Sequence, residues 1–217
     1  MKHFLIVLLS LFLIIVLFSL TIADEVVLNA NSITAMSKTG VAIVDDSLAS
    51  IKKAIEFQDG ANNPLAPDPK VYFEMEFDAN PGKYYIWLRV RSDGDTSTDS
   101  LWIQFDDEIG TDKGNRYPAR GLGNWLDVFP AGEYVWASNE VIPPDGPTVE
   151  SFTFEKGGKH ILRTQPRQIT HRIDQIWLST TQKDHPKNST PVGGFAVKPN
   201  NKLVSIWGKI KALQKDM

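Results

Sequence analysis

No cysteine occurs among the 217 residues, so no disulfide supports the fold and stability must rest on core burial, helped at most by a bound ion. Positive charge is also short. The chain has 23 Lys and Arg against 26 Asp and Glu, a net charge of −3, which withholds the basic footprint that phosphate binding needs and excludes nucleic acid as the expected partner. No internal repeat is present, and from Asp24 to Asn201 no long stretch of helical period appears, which argues against helical architectures. An apolar run of membrane scale occurs in one place only, Phe4 to Leu20.

That run follows Lys2 and ends in the small-residue exit Thr21-Ile22-Ala23, the pattern of a secretory signal cut after Ala23. A retained anchor is the other reading, because at about 1.5 Å per residue the run is long for a leader and a little short for an upright span. Either way the chain is expected to be secreted or held at the cell surface. Cleavage after Ala23 removes Lys2 and no acid, leaving 194 residues with 22 basic and 26 acidic side chains, net −4. One hydrophobic core is the expectation for that length.

What is present reads as strands. Val71, Phe73, Met75 and Phe77 alternate with polar residues, then Tyr84, Ile86, Leu88 and Val90, then Leu101, Ile103 and Phe105, each with the period of two of a half-buried strand. The last two runs flank a polar turn and read as an antiparallel pair whose other face carries Tyr85, Trp87, Arg89, Arg91 and Trp102. On that pairing Trp87 and Trp102 lie side by side, either as sheet packing or as a platform. Further short strands are expected near Val26–Leu28, Val41–Val44, Ile51–Phe57, Tyr134–Ala137, Phe152–Phe154, His160–Thr164 and Arg172–Ser179, separated by Pro/Gly/Asn turns. Residues 108–132 read as a long irregular insert of the kind that often binds. The fold class is therefore all-β, a sandwich of two antiparallel sheets over residues 24–180. Residues 181–201 have linker composition, and at 202–217 Leu203, Ile206, Trp207, Ile210 and Leu213 predict a short amphipathic C-terminal helix of net charge +3. Its expected role is to cap the sandwich, with an anionic surface, a partner protein or self-association as other destinations.

The segments Gly82–Val90 (GKYYIWLRV), Thr98–Asp107, Gly157–Gln168 (GGKHILRTQPRQ) and Arg172–Leu178 (RIDQIWL), in this order, resemble the carbohydrate-binding modules of families 6 and 35 over about Glu25 to Ser179. The resemblance implies a jelly-roll fold, a structural calcium ion and a sugar site built from aromatic and polar groups.

Trp125 and Trp136 are the candidate stacking residues, since the apolar C–H face of a pyranose lies well on an indole. Tyr117, Arg120, Asp127 and Asn139 are the neighbouring candidates; Trp136, being on a strand, also fits plain core packing. By resemblance, Asn29, Asn31 and Asp174 occupy the places of the calcium ligands, although the first strand carries two asparagines where relatives carry glutamates. Asp174 is in phase with Ile176 and Leu178, so it is expected to point inward, paired with a cation or with Arg167 or Arg172. Asp93, Asp95, Ser97 and Asp99 have oxygen-ligand spacing but lack the glycine and final glutamate of a calcium loop, and read as a solvated turn. Asn188-Ser189-Thr190 fits the N-glycosylation pattern in an exposed stretch. No acid/base or nucleophile constellation of a hydrolase or lyase is recognisable. The expected function is non-catalytic binding of a polysaccharide or glycan, with a structural or assembly subunit on the same sandwich as the alternative.

Overall fold

The computed structural model describes residues 24–58, 66–67, 70–91, 100–118, 132–138, 151–167 and 172–193, with backbone only at 115–118. Among the described residues twelve strands form two antiparallel sheets. The seven-stranded sheet runs β10 (Ser151–Phe154), β6 (Gly82–Arg91), β12 (Arg172–Ser179), β4 (Lys53–Phe57), β3 (Val41–Asp45), with β1 (Glu25–Leu28) also on β12 and β9 (Val135–Ala137) also on β6. The five-stranded sheet runs β2 (Ile33–Met36), β5 (Phe73–Ala79), β11 (Gly158–Pro166), β7 (Ser100–Phe105), β8 (Asn115–Pro118).

The expected alternation builds the core. Tyr84, Ile86, Leu88 and Val90 from β6 face Phe73 and Met75 from β5, Leu101 and Ile103 from β7 and Leu162 from β11, all fully buried. Burying each such side chain contributes about 1.5–3 kcal/mol, which is how a chain without disulfides holds two sheets together.

One pairing differs from expectation. β6 and β7 are both strands, but they lie in opposite sheets: β6 pairs with β9, β10 and β12, and β7 with β8 and β11. Alternation says only that one face of each strand is buried, and two strands facing each other across a core satisfy that as well as a hairpin does. Trp87 and Trp102 therefore sit on different sheets and form no common platform. Two strands lie where none was expected. β2 is a four-residue edge strand with an interrupted register against β5, and β8, inside the supposed irregular insert, ends at Pro118.

The insert is ordered at its start by one side chain. Gln104 Nε2 donates to the carbonyls of Glu108 (2.9 Å), Thr111 (3.0 Å) and Lys113, and its Oε1 accepts from the Gly110 amide (3.2 Å). Just before it, Asp106 adopts φ 44°, a left-handed conformation that a short polar side chain tolerates, and its carboxylate meets His160 Nδ1 at 2.7 Å and the Ile161 amide at 2.9 Å. His160 is thus employed in joining β11 to the turn after β7.

The ends of the sandwich meet. The Asp24 amide donates to Thr180 Oγ1 (3.0 Å), the Thr180 amide donates to Asp24 O (3.1 Å), and the Asp24 carboxylate accepts from Asn80 and from the Tyr84 hydroxyl. Burial first, and then the Asp24 hydrogen bond, push the Tyr84 hydroxyl above its ordinary pKa. The expected leader and C-terminal helix lie outside the described residues. Among those described, no helix is long and apolar enough to cross a membrane.

Candidate functional site: a tryptophan recess beneath a C-terminal strap

Residues 181–193, expected as the start of a linker, run instead over the outer face of the seven-stranded sheet. The contacts follow from register. On β6 the residues out of phase with the core are Tyr85, Trp87, Arg89 and Arg91; Trp177 of β12 is the register partner of Trp87, and Trp136 of β9 that of Arg89. Trp87 Nε1 donates to Gln182 O (2.7 Å), Arg89 Nε to Ser189 O (2.7 Å) and Trp136 Nε1 to Thr190 O (3.1 Å). Gln175 closes the series with a reciprocal pair, Nε2 to Val192 O (2.9 Å) and Oε1 from the Val192 amide (3.0 Å). The face opposite the core is thus covered, and Trp87 and Trp136 retain only 1% exposure.

Between strap and sheet a recess of about 500 Å³ remains. Trp136 and Trp177 form its floor, with ring centroids 5.5 Å apart at an interplanar angle of 60°. Trp177 is partly exposed, and its Nε1 donates to Glu25 Oε2 (2.5 Å), whose Oε1 is held by Ser179 and Thr181, so Glu25 fixes the ring. The strap supplies a polar rim that includes Gln182, Asp184, Lys187 and Asn188.

A charged layer lies beside the recess. Asp174 is fully buried, as expected, but a register shift between Ile173 and Gln175 in β12 re-aims it from the core to the outer face. There one carboxylate oxygen accepts from the Ser50 amide (2.8 Å) and hydroxyl (2.7 Å), and the other pairs with Arg89 Nη1. Its cation is Arg89, not Arg167 or Arg172. Arg172 instead joins Arg91 on Asp46 (2.9 and 2.7 Å) and binds Glu56 (2.6 Å), while Tyr134 donates to Asp46 (3.0 Å) beneath the guanidinium of Arg89. Burial pushes the Asp46 carboxyl up, but hydrogen bonds from Arg172, the Leu48 amide and Tyr134, with the charge of Arg91, outweigh it and hold the group below the usual carboxylate range. Burial, then the charge of Asp46, push the Tyr134 hydroxyl above its ordinary value. Arg172 is raised by Glu56 and Asp46.

No family model and no curated protein matches the chain. By structure it is similar to a family 35 carbohydrate-binding module from Clostridium thermocellum (13% identity, 70% of this chain and 97% of that one, TM-score 0.42). It is also similar to the C-terminal family 6 module of LamC, a laminarinase from Zobellia galactanivorans (12% identity, 72% and 99%, TM-score 0.44). A third is a β-(1,4)-mannanase with a family 35 module from Podospora anserina (12% identity, 81% and 30%, TM-score 0.46). The likeness is remote. The chain spans 29% of the length of an exo-β-1,3-galactanase from Phanerochaete chrysosporium and 30% of the mannanase.

Of the six sugar-site candidates, the structure places the side chain of one. Trp136 is in the recess, covered on most of its surface. Arg120, Trp125, Asp127 and Asn139 lie outside the described residues, and Tyr117 is described as backbone in β8, opposite Leu101. Asp93, Asp95, Ser97 and Asp99 also lie outside. Trp177 was not among the candidates, yet its signal was legible: it is out of phase with Ile176 and Leu178 and must face away from the core.

Asn29, Asn31 and Asp174 do not fit a calcium site. Both Asp174 oxygens are taken by Ser50 and Arg89, and a guanidinium already neutralises the charge a cation would need. Asn29 Oδ1 accepts from the Asn31 amide (2.9 Å) as a local cap. Asn31 lines a different recess, of about 420 Å³, with Glu25, Glu76, Asp78 and Lys159.

Proposed function

We propose that the sandwich is a non-catalytic carbohydrate-binding module acting outside the cell, and that the Trp136–Trp177 recess is its sugar site. One observation carries this reading: two indoles floor a polar-rimmed recess of about 500 Å³. Ligand sites of roughly 300–1,000 Å³ with apolar floors and a few polar groups are the common form of small-molecule pockets. A pyranose matches this one, its C–H face on the exposed part of Trp177 and its hydroxyls toward Gln182, Asp184, Lys187 and Asn188. Glu25 positions the ring, and Trp136 supplies an edge. The polar rim carries both charges, which suits a neutral sugar. The extracellular setting rests on reading residues 1–23 as a secretory signal. Trp125, Tyr117, Arg120, Asp127 and Asn139 are proposed as further sugar contacts.

The test is a glycan array with residues 24–217, followed by calorimetry on Trp177→Ala and Trp125→Ala. A neutral polysaccharide is expected to bind, and Trp177→Ala to weaken it about tenfold, equivalent to ~1.4 kcal/mol. Wild-type affinity in Trp177→Ala with loss in Trp125→Ala moves the site away from the recess. A folded protein that binds no glycan overturns the reading.

A further inference from the structure

The strap that roofs the recess is held in an unusual way. From Thr181 to Gly193 none of its residues is fully buried, and most are exposed. Its attachment is mostly through main chain: carbonyls of Gln182, Ser189, Thr190 and Val192 accept from Trp87, Arg89, Trp136 and Gln175, and the His185 side chain adds a contact, its Nε2 2.9 Å from Trp136 O and its ring edge-on to Trp87. A segment with no fully buried residue, fixed mostly by hydrogen bonds at its backbone, belongs to the low-stability end of a fold. Beneath it lie three indoles, two of them shielded by the strap, on one sheet face.

The donors that hold the strap are those that bind sugar hydroxyls. A guanidinium Nε, a carboxamide and indole N–H groups pair with any oxygen acceptor of suitable position. The rings they belong to present the flat apolar area on which a glycan chain lies. The strap thus occupies, with its own carbonyl oxygens, the places that a chain of hydroxyl oxygens would fill.

We propose that the strap is a displaceable cover over a longer glycan-binding face made of Trp87, Trp136 and Trp177, with Arg89 and Gln175 as its hydrogen-bonding residues. This inference rests on the sugar-binding reading and deepens it. With the strap in place the recess accommodates a short sugar or a chain end. A polysaccharide displaces residues 181–193 and lies across all three indoles, Arg89 Nε and Gln175 exchanging strap carbonyls for hydroxyls. Arg89 keeps its place during the exchange, because Asp174 holds its Nη1 from the other side.

The test uses residues 24–217 with laminarin and galactomannan as long probes and glucose and mannose as short ones. Lys183 and Lys187 are exposed trypsin sites on the strap. A bound polysaccharide is expected to speed cleavage at both at least several-fold, and the monosaccharides, which leave the strap in place, not to speed it. Val192→Pro removes the amide that donates to Gln175 without touching the sheet. It is expected to tighten polysaccharide binding about tenfold, to give monosaccharides no such gain because part of their recess is made by the strap, and to make tryptophan fluorescence more quenchable by acrylamide. Slower or unchanged cleavage with polysaccharide bound, or equal polysaccharide affinity in Val192→Pro, overturns the cover and leaves the recess standing. Absence of binding by either protein overturns the sugar-binding reading itself, and the cover with it.

Discussion

Asp46 shows how single residues of this fold answer for its behaviour in acid. It is buried, and Arg91, Arg172, Tyr134 and the Leu48 amide all address its carboxylate. Its folded pKa lies below 3.8, the ordinary value of the carboxyl in the unfolded chain. The stability it contributes is therefore complete above that value and is lost as pH falls through the folded pKa. Urea melts from pH 6 down to pH 2 are expected to show stability falling below about pH 4, and Asp46→Asn to start lower and fall less over the same window. A parallel fall in both proteins would assign the acid sensitivity to other carboxylates. Asp174 carries a second lesson at this scale. Its burial was readable from its place among Ile173, Ile176 and Leu178, whereas the bulge that turns it toward Arg89 left no mark in the alternation.

At the scale of elements, strands were legible wherever apolar residues alternated, because burying one face is a local demand. Pairing is not local. The run from Tyr84 to Phe105 reads as a hairpin and is a crossing between sheets, since no feature of either strand states which neighbour supplies its hydrogen bonds. The strap was illegible for the related reason that it is held mainly by its backbone: Trp87, Arg89 and Gln175 recognise its carbonyls, His185 adds a contact to Trp87 and Trp136, and a polar segment with two prolines reads as linker whether or not carbonyls are bound. The two-sheet arrangement has a measurable consequence. Trp87 and Trp102 project from opposite sheets, so Trp87→Ala and Trp102→Ala are expected to be additive within about 0.5 kcal/mol in a double-mutant cycle read by urea denaturation. Coupling above about 1 kcal/mol is what a shared platform would give.

For the whole molecule, the two sheets enclose one core, and Ser50 and Arg89 take up the Asp174 carboxylate that the resemblance assigned to calcium. An ion bound only by the folded state would stabilise it by about 2.7 kcal/mol at a hundred times its dissociation constant. The melting temperature is accordingly expected to be the same in EDTA and in millimolar calcium, and a rise of several degrees with calcium would show a site elsewhere in the chain. The fold class and the disulfide-free core were legible in composition and periodicity. The candidate site was legible only in part, because Trp136 and Trp177 are far apart in sequence and meet through the order of strands.

The hydrogen bonds between Asp24 and Thr180 bring the first and last residues of the sandwich together at the edge where β1 lies on β12. Such a body behaves as a bead on a string. It can be spliced into a surface turn of a host protein without prying the host's own elements apart, and its original ends can be joined and new ones opened in a distant turn. The strap leaves from that same junction, so whatever is attached after Thr180 is led first across the tryptophans.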